Sequence, residues 1–393
     1  MKKILFCIAA GLAALTASAQ YTHPDNVNKD MLRHTLRSES KSRTEIIIPQ
    51  VNGYNVYKAD LHTHTVFSDA QTTPEWRVSE AWYDGLDVIS ITDHIEYRPY
   101  EPKMIQFLTD YVKKNVKAEN YDIVFQETGN ENIHVDLNYS VKLAQEATKN
   151  YPILVIPGTE VTRPYKNIGH FNALFTTDNN AIPDNDPMQA LRNAKAQGAL
   201  VQYNHPGWLR TSLDMTEFEI NAYKEKLIDG IEVMNGPEFY PKAIDRAKEQ
   251  GLFVTANTDV HGTTETDYVG ASAGRNMTLI FAKEKTLEAM REALEAHRTL
   301  AYSFDQIAGD EELLKALFQA SVKTQFIRID SKGRTIFNLT NLSSIPYAVK
   351  INDGHVHWIG AFSTVQFKGV DPKVTVLNMW SGENSHPQIP VQF

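Results

Sequence analysis

Cysteine is nearly absent: Cys7 is the only one in 393 residues. It sits inside the opening segment MKKILFCIAAGLAALTASA, where Lys2 and Lys3 precede an apolar stretch and Ala17-Ser18-Ala19 supplies a small-residue cleavage pattern. That layout reads as a secretory signal peptide over residues 1–19, cut before Gln20. The expectation is an exported protein, periplasmic or secreted, whose mature chain has no thiol. Thiol catalysis, thiolate metal sites and disulfides are then excluded. Cys7 also lies well before the small-residue site, so it is not read as a lipid-bearing terminal cysteine. Basic charge is short as well. Lys and Arg total 39 against 48 Asp and Glu, for a net −9, and cleavage would remove two lysines and no acid. Without clustered cations, neither a specific nucleic-acid groove nor an anionic-membrane surface is expected. No later apolar run reaches the roughly 20 residues of a spanning helix, so no membrane span is expected and the mature chain should be soluble. Gly-rich phosphate loops and a Ser nucleophile elbow are missing too.

What is present is an ordinary globular composition, 42% hydrophobic and 22% charged, at a length that builds a large core without disulfides. Residues 20–50 read as a polar lead-in. Over residues 51–305, short Val/Ile/Leu-rich strands alternate with amphipathic helical stretches. The strands are VYKADLH (56–62), LDVISITDH (86–94), ILVIPGTE (153–160), ALVQYNH (199–205), IEVMN (231–235) and LFVTANTD (252–259). PEWRVSEAWYDG, PMQALRNAKAQG and PKAIDRAKEQG read as helices, with Gly85, Gly198 and Gly251 at their C-terminal ends. Repeated strand–helix units predict an α/β fold, a parallel (β/α) barrel whose strand C-termini converge on one mouth. Residues 306–322 read as a helical linker. Residues 323–393, with TQFIRID, RTIFNLTN, YAVKIN and KVTVLNMW, read as a small C-terminal antiparallel β-sandwich domain.

Nearly every barrel strand ends in a His or a carboxylate. Asp60-Leu61-His62-Thr63-His64 ends the first, with Asp69 five residues after His64, and Thr92-Asp93-His94 ends the second. Gly158-Thr159-Glu160 ends the third, His170 opens GHFNALF, Asn204-His205-Pro206 follows, and Asp259-Val260-His261-Gly262 comes last. Residues two apart on a strand point the same way, so His62 and His64 can address one metal, and Asp259 and His261 neighbouring ions. Imidazole and carboxylate without thiolate suit Zn or Mn, with Fe as a further option. One His-x-His pair means little. Six His and three carboxylates at the face where barrels keep their sites are a strong signal of a metal-binding site. Asp60 and Asp93 are candidates to accept the spare imidazole N–H, set against simple strand-end solvation. Arg163 and, after TDHIEY, Arg98 are candidates to meet phosphate oxygens, and Trp208 and Arg210 to line the pocket. His134, His297, His355, His357 and His386 fit no motif. The second His-x-His pair, His355 and His357, reads as surface.

In this order, DLHTHTVFSDA, SITDH, GTE, GH, NHP and TDVHG resemble the PHP superfamily, the polymerase-and-histidinol-phosphatase type of metal-dependent phosphoesterase. The resemblance spans residues 54–303. It implies a distorted (β/α)7 barrel of TIM-like type with a trinuclear centre of three divalent ions. Carried over by position, His62, His64, Glu160 and Asp259 hold the first ion. Glu160 bridges to a second held by His170 and His205, and Asp69, His94 and His261 hold the third. The implied chemistry is direct attack by a metal-activated hydroxide on a phosphoester, with Glu160, Asp259 and Arg163 as catalytic residues. The IPxVxGYxVYKADLHTHTVFSD opening, the EYRPY after TDH and the appended β domain further resemble the exported two-domain branch, of the Sphingobium phosphodiesterase type. The partner expected is therefore a small phosphodiester. A phosphomonoesterase of the histidinol-phosphatase kind and a secreted metal- or glycan-binding protein are the alternatives. The sequence leaves the oligomeric state open.

Overall fold

The computed structural model describes residues 23–24, 30, 32–33, 42–100, 136–268 and 274–393. The expected signal peptide, most of the lead-in and His134 lie outside the described residues. The chain divides into two units, Met1–Thr44 and Glu45–Phe393. In the first, β1 (His23–Pro24) pairs antiparallel with β2 (Leu32–Arg33).

The second unit is built on a twelve-stranded mixed sheet. Its first seven strands in chain order are β3 (Asn55–Asp60), β4 (Val88–Ile91), β5 (Leu154–Thr162), β6 (His170–Leu174), β7 (Leu200–Tyr203), β8 (Gly230–Asn235) and the short β9 (Glu238–Phe239). They are followed by β10 (Phe253–Asn257), β11 (Met277–Ala282), β12 (Thr299–Ser303) and β13 (Gln306–Gly309). The spatial order is β10-β8-β7-β6-β5-β4-β3-β11-β12-β13-β20, where β20 is Met379–Trp380 and β9 flanks β8. Parallel pairing holds from β3 to β5 and from β7 to β10 through β8. It fails at β6, which runs antiparallel to both neighbours, and at β11, antiparallel to β3 and β12. Only a short loop, residues 163–169, joins β5 to β6, and a parallel partner needs a crossover of a dozen or more residues. The two strands therefore form a hairpin.

The sheet curls so that β10 returns beside β3 and β12, and threonines close the gap. Thr299 Oγ1 accepts from Val254 N at 3.2 Å, and Thr278 Oγ1 accepts from Ala256 N at 3.0 Å. At the mouth, Thr63 and Val260 form a parallel bridge, and Asp259 N donates to His62 O at 2.9 Å. This bridge sets the His62–His64 segment beside the Asp259–His261 segment.

Helices Pro74–Tyr83, Tyr139–Ala147, Pro187–Ala196, Glu217–Lys224, Pro241–Gln250 and Leu287–Glu295 surround the sheet. Thr73, Asp186, Thr216 and Thr286 cap four of them by accepting a backbone N–H of the first turn. Gly251 ends the fifth at φ 68°, the left-handed conformation that only glycine adopts without strain. Residues 311–321 form a helix, and residues 306–309 before it are strand β13.

The C-terminal part comprises two antiparallel sheets. One is β14 (Val322–Ile329), β15 (Thr335–Asn341) and β18 (Thr364–Gly369). The other is β16 (Tyr347–Ile351) between β17 (Val356–Ile359) and β19 (Lys373–Val376), with β21 (Gln388–Pro390) on the far side of β19. A single apolar cluster runs from Leu279 and Leu300 through Leu314 and Phe318 to Phe337, Tyr347 and Val376. The C-terminal sheets thus share a core with the barrel. Among the described residues no helix is long and apolar enough to cross a membrane.

Candidate metal centre

All nine residues singled out from the strand ends meet at one mouth. Their donor atoms fall into four overlapping groups within mutual reach: His62, His64 and Glu160; His62, His205 and Asp259; Glu160, His170 and His205; and His64, Asp69, His94 and His261. His62 Nε2 stands 3.1 Å from His64 Nε2, 3.2 Å from Asp259 Oδ1 and 3.3 Å from Glu160 Oε1. His64 Nε2 is 3.0 Å from Asp259 Oδ1, and His170 Nδ1 is 3.4 Å from Glu160 Oε1. Donors bonded to one ion at about 2.0–2.1 Å sit roughly 3.0–3.4 Å apart at adjacent corners of its polyhedron. The separations are therefore those of a coordination shell. Asp69 Oδ1 adds an independent sign. It is buried without a well-aligned hydrogen bond, yet lies 3.1 Å from His261 Nε2 and 3.4 Å from His94 Nε2. An acceptor and two ring nitrogens aimed at one point fit a cation between them.

Local backbone builds this convergence. His94 and Glu160 face each other across a parallel bridge between the extension of β4 and β5 itself. The β5–β6 hairpin sets Thr162 opposite His170 and Glu160 opposite Asn172, so a carboxylate and an imidazole from antiparallel strands reach the same spot. His205 and Asp259 adopt φ of 26° and 53°, a conformation that non-glycine residues hold only where surrounding structure imposes it. Both follow the last pairing residues of their strands, where the chain turns the side chain back into the mouth.

Burial and charge act in opposite directions on these groups. Burial pulls His62 down, but Asp259, Glu232 and Glu160 hold it well above the usual imidazole value. His94 is pulled down by burial and pushed up to about 10 by Glu160 and Asp69. His64, buried and facing His94 and His261, falls to about 4 despite Asp259. Burial likewise lowers His205, whereas His261 is raised by Asp69 and Asp259 against its burial. Burial pushes Glu160, Asp259 and Asp69 upward, and the imidazoles around them overcome it, leaving all three below the ordinary carboxylate range. The mouth is thus a negative field that holds protons on some imidazoles. A divalent cation held there by these residues would answer the same field and compete with those protons.

The groups behind the nine differ in part from the sequence reading. Asp93 accepts from Thr65 N, Thr65 Oγ1 and Ser68 Oγ at 2.7, 2.7 and 2.8 Å, and Ser68 Oγ reaches His64 Nδ1 at 3.4 Å. Its hold on the imidazole is indirect. Among the described residues Asp60 takes no imidazole. It pairs with Arg275 and accepts from Thr258 N and Oγ1, bracing the strand before Asp259. A carboxylate that does anchor an imidazole is Glu232, on β8, whose Oε1 lies 2.9 Å from His62 Nδ1. Its other contacts are His205 N and the side chains of Asn235, Asn257 and Gln202, at 2.7–3.3 Å. Sequence reading passed over it because IEVMN looks like one apolar strand. The available signal was a carboxylate at a strand centre, the one polar residue of Gly230–Val233. Substituting Glu232→Gln keeps the shape and removes the charge behind His62. The expected outcome is a 10–100-fold loss in metal affinity, roughly the effect of removing such partners, read by competition with a chromogenic chelator.

The arginines are engaged by the protein itself. Arg163 pairs with Glu96 at 2.9 Å and donates to Asp184 O, and among the described residues it bonds none of the nine. Arg98 donates to His94 O at 2.8 Å. Arg210, expected at the pocket, turns away to Glu219 at 2.7 Å and Tyr203 Oη at 2.9 Å. Trp208 does border the mouth, its ring 5.3 Å from that of His205. His355 and His357 are exposed on the C-terminal sheets, and His386 caps Met379 O.

No protein-family model matches the chain. A two-domain protein of Bacteroides vulgatus that contains a predicted PHP-like metal-dependent phosphoesterase is 30% identical, with a TM-score of 0.76, over 92% of this chain and 100% of its own. The chain belongs to the PHP-like metal-dependent phosphoesterases. An uncharacterised protein of Methanocaldococcus jannaschii is 29% identical over 120 residues, 30% of this chain, and the matched segment spans 54% of that protein. The buried His, Asp and Glu groups gathered at this mouth are consistent with a polynuclear metal site.

Proposed function

We propose that this PHP-like phosphoesterase is an exported phosphodiesterase that cleaves small organic phosphodiesters by direct attack of water at a trinuclear centre of Zn or Mn. The carrying observation is that Glu160 belongs to two of the donor groups, one with His62 and His64 and one with His170 and His205. Its two oxygens suit a bridge between ions. Divalent ions at such positions supply Lewis-acid charge and bring the pKa of water from about 15.7 toward 7.

The chain's own residues set the rest. Six neutral imidazoles and three carboxylates carry three negative charges, so three divalent ions leave the mouth net positive and attractive to an anionic ester. Asn204 Nδ2 donates to Glu160 Oε1 at 2.7 Å and so fixes the carboxylate's orientation. Glu232 fixes the His62 tautomer with Nδ1 protonated and Nε2 free to ligate. No cysteine follows residue 7, so a thiol intermediate has no source. The diester reading is supported by the arginines. Arg98, Arg163 and Arg210 are spent on backbone and carboxylates, which leaves the extra charge of a monoester dianion without a guanidinium. Export rests on the leader-like segment 1–19.

Mature protein loaded with Mn or Zn should hydrolyse bis(p-nitrophenyl) phosphate at least about tenfold more efficiently than p-nitrophenyl phosphate, a preference of roughly 1.4 kcal/mol in the transition state. The reverse order would make it a phosphomonoesterase. Hydrolysis of neither, at full metal occupancy, would favour a secreted metal-binding protein.

A further inference from the structure

The mouth of the metal centre carries aromatic rings on two sides. The Trp208 ring lies 5.3 Å from His205 and 5.7 Å from His170, with Tyr165 a further 5.3 Å from Trp208. The Tyr97 ring lies 5.9 Å from His94. Trp208 thus borders the donor group of Glu160, His170 and His205, and Tyr97 borders that of His64, Asp69, His94 and His261. Both rings remain in contact with solvent, Trp208 at 36% and Tyr97 at 54% exposure, although aromatic rings gain most from burial.

The loop carrying the indole is also firmly held. Trp208 N donates to His205 O and Arg210 N to Gly207 O, both at 3.0 Å. Arg210 then locks the loop end to buried Glu219, which Arg246 also grips at 2.9 Å. A wet aromatic face kept rigid beside metal-ligating imidazoles is how a site presents a stacking surface without paying for order on binding. With the indole 5.3 Å from the His205 ring and 5.7 Å from the His170 ring, a group stacked on Trp208 would sit directly beside the donor groups, the position of an aryl arm joined to phosphorus through one ester oxygen.

We propose that Trp208 and Tyr97 form a collar that selects phosphodiesters carrying planar aryl groups esterified directly to phosphorus, one arm against each ring. This rests on the phosphodiesterase reading and adds its substrate class. A diester has two organic arms, and the mouth has two aromatic walls on different donor groups.

The test compares kcat/KM for bis(p-nitrophenyl) phosphate and methyl p-nitrophenyl phosphate, which share a leaving group and differ in the second arm. Intrinsic reactivity cancels when the ratio is compared between enzymes. The aryl-over-methyl ratio should fall about tenfold in the Trp208→Ala, Tyr97→Ala double variant, the scale of lost aromatic stacking. It should survive in Trp208→Phe, with metal content unchanged in both. An unchanged ratio in the double variant would overturn the collar, as would loss of bound metal, since the rings would then be structural. If the wild type hydrolyses the two diesters but with equal efficiency, the collar alone fails. If it hydrolyses no phosphodiester, the underlying reading fails.

Discussion

Glu160→Gln should lower kcat/KM toward a phosphodiester by at least about a thousandfold, the scale on which charge stabilisation at a reacting centre operates. The substitution changes one oxygen to a nitrogen, and the consequences follow from what surrounds it. Glu160 Oε1 lies 3.3 Å from His62 Nε2 and 3.4 Å from His170 Nδ1, and Oε2 contacts His94 Nδ1 and lies 3.9 Å from His64 Nε2. An amide cannot bridge two cations with two anionic oxygens, and its N–H groups would face imidazole nitrogens meant for ions. Asn204, which donates to Oε1, would oppose the amide in one of its two orientations. The fold should persist because shape and burial are kept. A variant that retained more than about a tenth of the activity would contradict the role given to Glu160.

Arg77→Met should cost about 3–5 kcal/mol of stability, the usual penalty for breaking a buried charge network by removing one partner. On the ordinary relation between stability and melting in a chain of this size, that lowers Tm by roughly 5 °C. Arg77 is wholly buried, under the mouth rather than in it. Its guanidinium donates to His64 O at 3.0 Å, Val260 O at 3.2 Å and Gly262 O at 2.9 Å, and it pairs with Glu80. Glu80 in turn accepts from Thr264 N at 2.8 Å. One side chain therefore ties the His62–His64 segment to the Asp259–His261 segment. Methionine fills the space but leaves three carbonyls and a carboxylate without their donor. Melting of the metal-free protein measures the effect. A loss under about 1 kcal/mol would show that the carbonyls find other partners.

The convergence of the nine residues was legible because polar side chains at strand ends leave a mark that periodicity cannot hide. An apolar run that stops at His62, His94, Glu160, His205 or Asp259 does so at one end of a strand each time. Strand direction was less legible. Nothing in GHFNALF distinguishes parallel from antiparallel; the length of the preceding loop decides it, and residues 163–169 are too few for a crossover. The supporting groups were least legible. Glu232 hides in IEVMN because barrel strands have a second buried face, and there a polar network of Gln202, Thr255 and Asn257 replaces the apolar core. Arg77 looks like a solvent residue on an amphipathic helix, and Arg163 and Arg210 looked free because their partners, Glu96 and Glu219, act only once the chain has folded.

The most direct test of a polynuclear hydrolytic centre is bis(p-nitrophenyl) phosphate hydrolysis followed while Mn or Zn is titrated into the metal-free protein. Activity should be absent at the start, rise with upward curvature because a lone ion does not suffice, and level off as the third equivalent per chain is bound. Hydrolysis that proceeds without added metal, or that saturates at a single equivalent, would contradict it.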